Sequence, residues 1–213
     1  MSGMTRQPKL IKGAIIGLDP FNPVASIIIF QYNPNEVTRS LTSKLGSGGT
    51  DTGRGEATRL TGTPEETISV KLHLNAADQL EVGDSIAVGN GILPQIAALE
   101  MLITPKTLQL VVNTALALTG TLEIIPSEAP LTLFVWGTKR VVPVAVNTLN
   151  IREMLFDPDL NPIVAEVDVS MKVLTYNDLP ILHPGTAISV ANQVVKEALA
   201  VIGSLANAGV DFG

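Results

Sequence analysis

The chain has no cysteine, which excludes disulfides, thiol catalysis and thiolate metal sites and suits a cytoplasmic origin. Aromatic residues make up only 4% of its 213 residues and charged residues only 16%. Because the mean hydropathy is nonetheless +0.34, a disordered chain is excluded: it would leave too much apolar surface in water. The 14 basic residues are outnumbered by 20 acidic ones, giving a formal charge of -6. That balance argues against nucleic acid as the main partner, since a phosphate backbone calls for concentrated Lys and Arg. The bases are scattered, with no cluster beyond Lys139-Arg140. Apolar runs of membrane-spanning length are also missing: Ala25–Phe30 and Ala198–Val210 are both too short. The first apolar stretch ends at Asp19-Pro20 with no Ala-x-Ala site after it, so the expectation is a soluble chain without an export signal or membrane insertion. What the sequence does have is apolar residues, 46% of the total, and these need somewhere to be buried.

Most of the chain reads as β-structure. Residues 9–18 and 25–32 are Ile-rich runs, the second closed by the turn cluster Tyr32-Asn33-Pro34-Asn35, and 36–44 is placed as its hairpin partner. Residues 45–63 carry six glycines and five threonines and no apolar period, the pattern of a functional or disordered loop. In 65–75, Ile68, Val70, Leu72 and Leu74 alternate with Thr67, Ser69, Lys71 and His73, which predicts a half-buried strand. Residues 92–103 read as a helix, with Pro94 in its first turn and Pro105 just past its end. The stretch 107–118 fits either strand or helix.

Leu131 to Trp136 is a predicted strand, and 141–156 a longer one. Its apolar phase shifts between Val142/Val144/Val146, Leu149/Ile151 and Met154/Phe156, which predicts a bulge or sharp bend. After the turn Asp157–Pro162, residues 163–173 alternate most cleanly, with Ile163, Ala165, Val167, Val169, Met171 and Val173 on one side. Residues 186–207 form a helix with an apolar stripe including Ile188, Val195, Leu199, Ile202 and Leu205. The pattern predicts a mainly β (α+β) protein: a barrel or sandwich over 1–178 with one internal helix and the flexible loop 45–63, then a helical extension over 179–213.

A catalytic or metal set is hard to assemble. The two histidines, His73 on a polar strand face and His183 before Pro184, have no companion ligand at metal spacing. The glycines at 46–49 and 53–55 do not complete a phosphate loop, and no Gly-Lys-Ser/Thr follows. Gly89-Asn-Gly91 opens a helix but has Pro94 where the dinucleotide fingerprint wants glycine, and Gly83-Asp-Ser85 lacks the second glycine of a nucleophile elbow. Asp157, Asp159, Asn161 and Asp168 mimic a calcium loop, yet its turning glycine is replaced by Pro162. The residues therefore predict no enzyme, no metal and no cofactor.

The order of segments carries a signal of its own. An Ile-rich strand reaches Phe30-Gln-Tyr32-Asn33-Pro34, then come the glycine-rich loop, Leu60-Thr-Gly62, the strand Glu66–Leu74 and a helix ending in proline. Leu133-Phe-Val-Trp136-Gly137, a long strand to Phe156 and Asn161-Pro162 to Val169 follow. Over roughly residues 10–175 this resembles the tube-type proteins of contractile injection systems, the phage-tail-like particles, and in particular their baseplate-proximal tube initiators. No LysM module of the kind those initiators often carry is present, and about 105–128 is an addition to the family's pattern.

The resemblance implies a tail-tube-like barrel that forms a ring, expected hexameric, between the spike or hub and the inner tube. The ring would template tube polymerisation in a prokaryotic cytoplasm, with release as part of the particle. The implied partners are copies of the chain itself, the inner-tube protein, the spike or hub and other baseplate proteins. An inner-tube subunit is the alternative within the class, and a monomeric ligand-binding β-barrel the alternative outside it. Expected subunit-interface residues are Asn33, Pro34, Arg54, Arg59, Trp136 and Phe156. Of these, Arg54 and Arg59 would reach a neighbouring ring from the 45–63 loop, unless that segment is simply a mobile surface loop. Asn33-Pro34 also reads as a plain turn, and Trp136 as a core residue.

Overall fold

The computed structural model describes residues 11–18, 27–45, 60–104, 114 and 130–208. Seven strands form one antiparallel sheet: β1 (Ala14–Leu18), β2 (Ile27–Ile29), β3 (Val37–Thr42), β4 (Glu65–Asn75), β5 (Leu131–Val135), β6 (Val141–Phe156) and β7 (Pro162–Val173). Their order across the sheet is β2-β1-β5-β6-β7-β4-β3. Among the described residues three short helices follow β4: α1 (Ala77–Glu81), α2 (Ser85–Asn90) and α3 (Leu93–Glu100). A long one, α4 (Pro184–Ala208), follows β7. Among the described residues no helix is long and apolar enough to cross a membrane.

The strands form where the alternation predicted them. Ile68, Val70, Leu72 and Leu74 lie opposite Met171, Val169, Val167 and Ala165, and all eight are buried. Two such stripes facing one way make a continuous apolar surface at strand spacing. In β6 the shift in apolar phase after Val146 is a bulge: the pairing with β7 slips by one residue between Val146 and Thr148. Asn147 is the extra residue, and it returns Leu149 and Ile151 to the face of Val142 and Val144. The later change to Met154 and Phe156 involves no slip, since Met154 still faces Val164 and Phe156 faces Pro162.

The sheet is rolled. In a flat sheet β2 and β4 would stand five spacings apart, about 24 Å. Yet Gln31, two residues beyond β2, accepts a hydrogen bond at Oε1 from the Asn75 backbone N–H at the end of β4, at 3.0 Å. The roll encloses a core that includes Ile15, Phe134, Ile68, Met171 and Val144. One part of its opening is filled by Ile92, Ile96, Leu99 and Leu102 of the α3 region.

Three expectations are corrected. Residues 37–42 do not pair back on 27–29: β3 pairs with β4, Val37 opposite Val70, while β2 pairs with β1. Asn33 explains the departure. Its Oδ1 accepts from Gly13 N at 2.8 Å and its Nδ2 donates to the Ile11 carbonyl at 2.9 Å, so the turn is tied to the lead-in of β1 and sends the chain to the far edge. The internal helix expected at 92–103 is α3, but among the described residues two further helices, α1 and α2, precede it. The missed Gly83-Asp84-Ser85 is a capping signal, with Asp84 Oδ1 accepting from Ile86 N and Ala87 N at 2.9 and 3.1 Å. Strand β1 also starts later than its Ile-rich run, at Ala14. Most of the 45–63 loop, the 107–118 stretch and the 105–128 addition lie outside the described residues.

Gly91 joins α2 to α3 at φ +57°, and a Cβ there would strike the carbonyl of Pro162, which also accepts from Ile92 N at 2.9 Å. Gly91→Ala should therefore cost well over the ~1 kcal/mol of a left-handed alanine. Gly89→Ala, in open space, should leave the melting temperature unchanged or slightly raised. Thermal unfolding of both variants checks this, and equal melting temperatures would refute the contact.

Candidate assembly surface

Among the described residues no three His, Asp or Glu side chains gather where they could hold a metal ion. His73 Nδ1 stands 3.6 Å from Glu166 on the exposed outer face. His183 Nδ1 accepts from Gly185 N at 3.2 Å, at the start of α4. The calcium-like acidic stretch is a hairpin turn. Asp157 Oδ1 accepts from Asn161 N at 2.8 Å and Oδ2 from Asn161 Nδ2 at 2.9 Å. The Asn161 side chain, ahead of burial, is what holds the Asp157 carboxyl below its usual range.

The sheet ends in two strands without outer partners among the described residues, β2 and β3. Unpaired edge groups are ready to bond another chain. Ile27 and Ile29 on β2 and Leu41 on β3 are exposed there. The side of α4 carrying Val190, Val194, Val201 and Ile202 is exposed as well. Large exposed apolar areas of this kind mark contact surfaces.

Beneath α4 the sheet carries a polar anchor. Glu66, 5% exposed, lies in the apolar phase of β4. Its Oε1 accepts from Arg39 Nε at 2.7 Å and its Oε2 from Lys196 Nζ of α4 at 2.9 Å. Burial pushes the Glu66 carboxyl up, but the hydrogen bonds and charges of Lys196 and Arg39 outweigh it and hold the group below the usual glutamate range. A buried carboxylate is tolerable because both oxygens are met by cations.

Beside the anchor a cleft of about 320 Å³ opens between α4 and the sheet. Its apolar wall includes Trp136, Val195 and Leu199, and its bases are Arg39, Lys139, Arg140 and Lys196, with Glu66 the one carboxylate. Lys139 and Arg140 have no side-chain partner among the described residues. They sit at the β5–β6 turn, where Trp136 N donates to the Arg140 carbonyl at 2.8 Å.

The six expected interface residues are not brought together. Asn33 is the pin of the β2–β3 turn, and Pro34 beside it is buried. Trp136 is partly buried, packed with ring centroids 6.4 Å from Phe30 and 6.0 Å from Phe134, and it also lines the cleft. That close packing uses the missing side chain of Gly13, whose Cβ would meet both Phe30 and Trp136. Phe156 is exposed at the far end of β6. Arg54 and Arg59 lie outside the described residues. The residues that sequence reasoning missed are Arg39, Glu66 and Lys196. Their signal was in the alternation, because Glu66 falls in the same phase as Ile68 and Val70.

No protein-family profile and no curated protein matches this chain.

Because Glu66 is depressed in the folded state, its contribution is present above the unfolded glutamate pKa of about 4.3. It is lost as the pH falls through the lower, folded value. Glu66→Gln should lower unfolding free energy at pH 7 by about 2 kcal/mol. It should also show a smaller further loss between pH 7 and pH 3 than the parent chain. Urea denaturation at the two pH values measures both, and parallel losses would rule out Glu66 as a source of acid sensitivity.

Proposed function

We propose that this protein is a ring-forming structural component of a contractile injection particle, a tube initiator that sits between the spike or hub and the inner tube. Its mechanism is assembly: copies bury one another's sheet edges and apolar faces, and the finished ring offers a template on which tube subunits polymerise. The observation that supports this reading is the rolled seven-stranded sheet, whose two short edge strands have no outer partner among the described residues and expose Ile27, Ile29 and Leu41. An edge left free on a soluble monomer is normally blunted by charge, proline or a covering element. Here Ile27, Ile29 and Leu41 stand exposed instead, and a neighbouring copy is the simplest cover. Contacts of this heterologous kind close into rings when the rotation per copy divides the circle. The segment order that resembles tube initiators supplies the particle and the position within it.

An inner-tube subunit would use the same surfaces and differs only in how many rings stack. A ligand-binding barrel calls for an apolar lumen, and here the inside of the roll is occupied by Phe134, Ile68, Met171 and Leu72. Size-exclusion chromatography with light scattering, over a wide range of protein concentrations, tests the proposal. A closed oligomer that grows in with concentration is expected, visible as rings by electron microscopy. A monomer at every concentration, also when mixed with inner-tube and hub proteins of a contractile injection particle, would overturn it.

A further inference from the structure

The most exposed apolar point on the sheet is the tip of the β6–β7 hairpin. Leu155 is 68%, Phe156 50% and Leu160 78% exposed. Leu155 and Leu160 also adopt left-handed backbone, at φ 53° and 65°, a conformation that costs a non-glycine residue about 1 kcal/mol. Water gives no reason to hold leucines out at that cost. The same tip is acidic: residues 153–160 contain Glu153, Asp157 and Asp159 and no base. Asp157 is engaged with Asn161, while Glu153 and Asp159 are exposed.

The cleft under α4 is the chemical opposite. Four bases face one carboxylate there, on a chain whose formal charge is -6. Lys139 and Arg140 have no side-chain partner among the described residues, and Trp136, Val195 and Leu199 supply an apolar wall. The two features lie at opposite ends of β6, which starts at Val141 and ends at Phe156. At about 3.3 Å per residue the strand separates them by about 50 Å. A single copy therefore cannot bring its own tip to its own cleft, but two copies arranged head to tail can.

We infer that the acidic apolar tip at 153–160 of one copy docks into the basic cleft of the next, with Asp159 and Glu153 against Lys139 and Arg140 and the leucines against Trp136 and Leu199. The contact is heterologous, so it passes from copy to copy and leaves none unsatisfied in a closed ring. The occupant is a second copy because its charge and apolar content match the cleft: two exposed carboxylates, Glu153 and Asp159, meet two bases, Lys139 and Arg140, beside an apolar wall. This inference rests on the reading of the protein as a self-assembling component and names the contact that the assembly uses.

The lack of native cysteine makes the test unambiguous. Full-length Leu160→Cys and Lys139→Cys chains, tagged differently, are mixed and treated with a short thiol-specific cross-linker. A mixed dimer is expected. The edge pair Ile27→Cys and Leu41→Cys reports the other route by which copies could meet. In parallel, the double change Lys139→Glu with Arg140→Glu should weaken association by about tenfold or more. A partner carrying Glu153→Lys with Asp159→Lys should restore it. Oligomers by light scattering without the 160–139 cross-link would overturn the docking and leave the ring-forming reading intact. A monomer that cross-links at neither pair would overturn both. Unchanged association of the charge-reversed chain would also exclude the cleft as the docking site.

Discussion

Chain connectivity is the constraint on which the rest of this structure depends. Strand β2 lies at one edge of the sheet and β3 at the other, yet only residues 30–36 join them. Seven residues cannot cross the face of a flat sheet of this width without being stretched taut. The sheet therefore rolls until the edges approach, and the Gln31–Asn75 and Asn33–Gly13 hydrogen bonds fasten the crossing. Rolling is also what gives one apolar face an inside, so that Ile15, Phe134 and Met171 meet in one cluster.

The same rolling determines what is left outside. Among the described residues neither edge has an outer partner, and the β6–β7 hairpin carries Leu155, Phe156 and Leu160 out into solvent. At the other end of β6 the opening is bridged by α4 rather than closed. The Arg39–Glu66–Lys196 arrangement joins helix to sheet, and the cleft lies beside it. Four of the chain's 14 bases thus line one cleft.

Much of the secondary structure could be read in advance, for a physical reason that differs by element. β4 and β7 alternate strictly because each has one face in the core, and period two leaves an unmistakable trace. The bulge in β6 was visible as a broken phase. The small helices α1 and α2 were not, since neither is long enough to show a 3.6-residue period, and Asp84 announced only a cap. The pairing of β3 with β4 was hidden because the turn at Asn33-Pro34 looks the same whether the next strand folds back or crosses over. The candidate site was less legible. Glu66 was out of phase with its chemistry, but its partners are 27 and 130 residues away in sequence.

By itself, the sequence determined that this chain is a mainly β protein with a substantial core, strand faces set by alternation, a bulged sixth strand and a long amphipathic helix after the sheet. These are local properties, written in periodicities of two and 3.6 residues. Only the tertiary structure decided the order of the strands, the rolling of the sheet, the burial of Glu66 between two cations, and the placing of an acidic apolar tip and a basic cleft at opposite ends of one strand. Those features depend on which distant residues come together, and the pattern of a single strand contains no term for its neighbours.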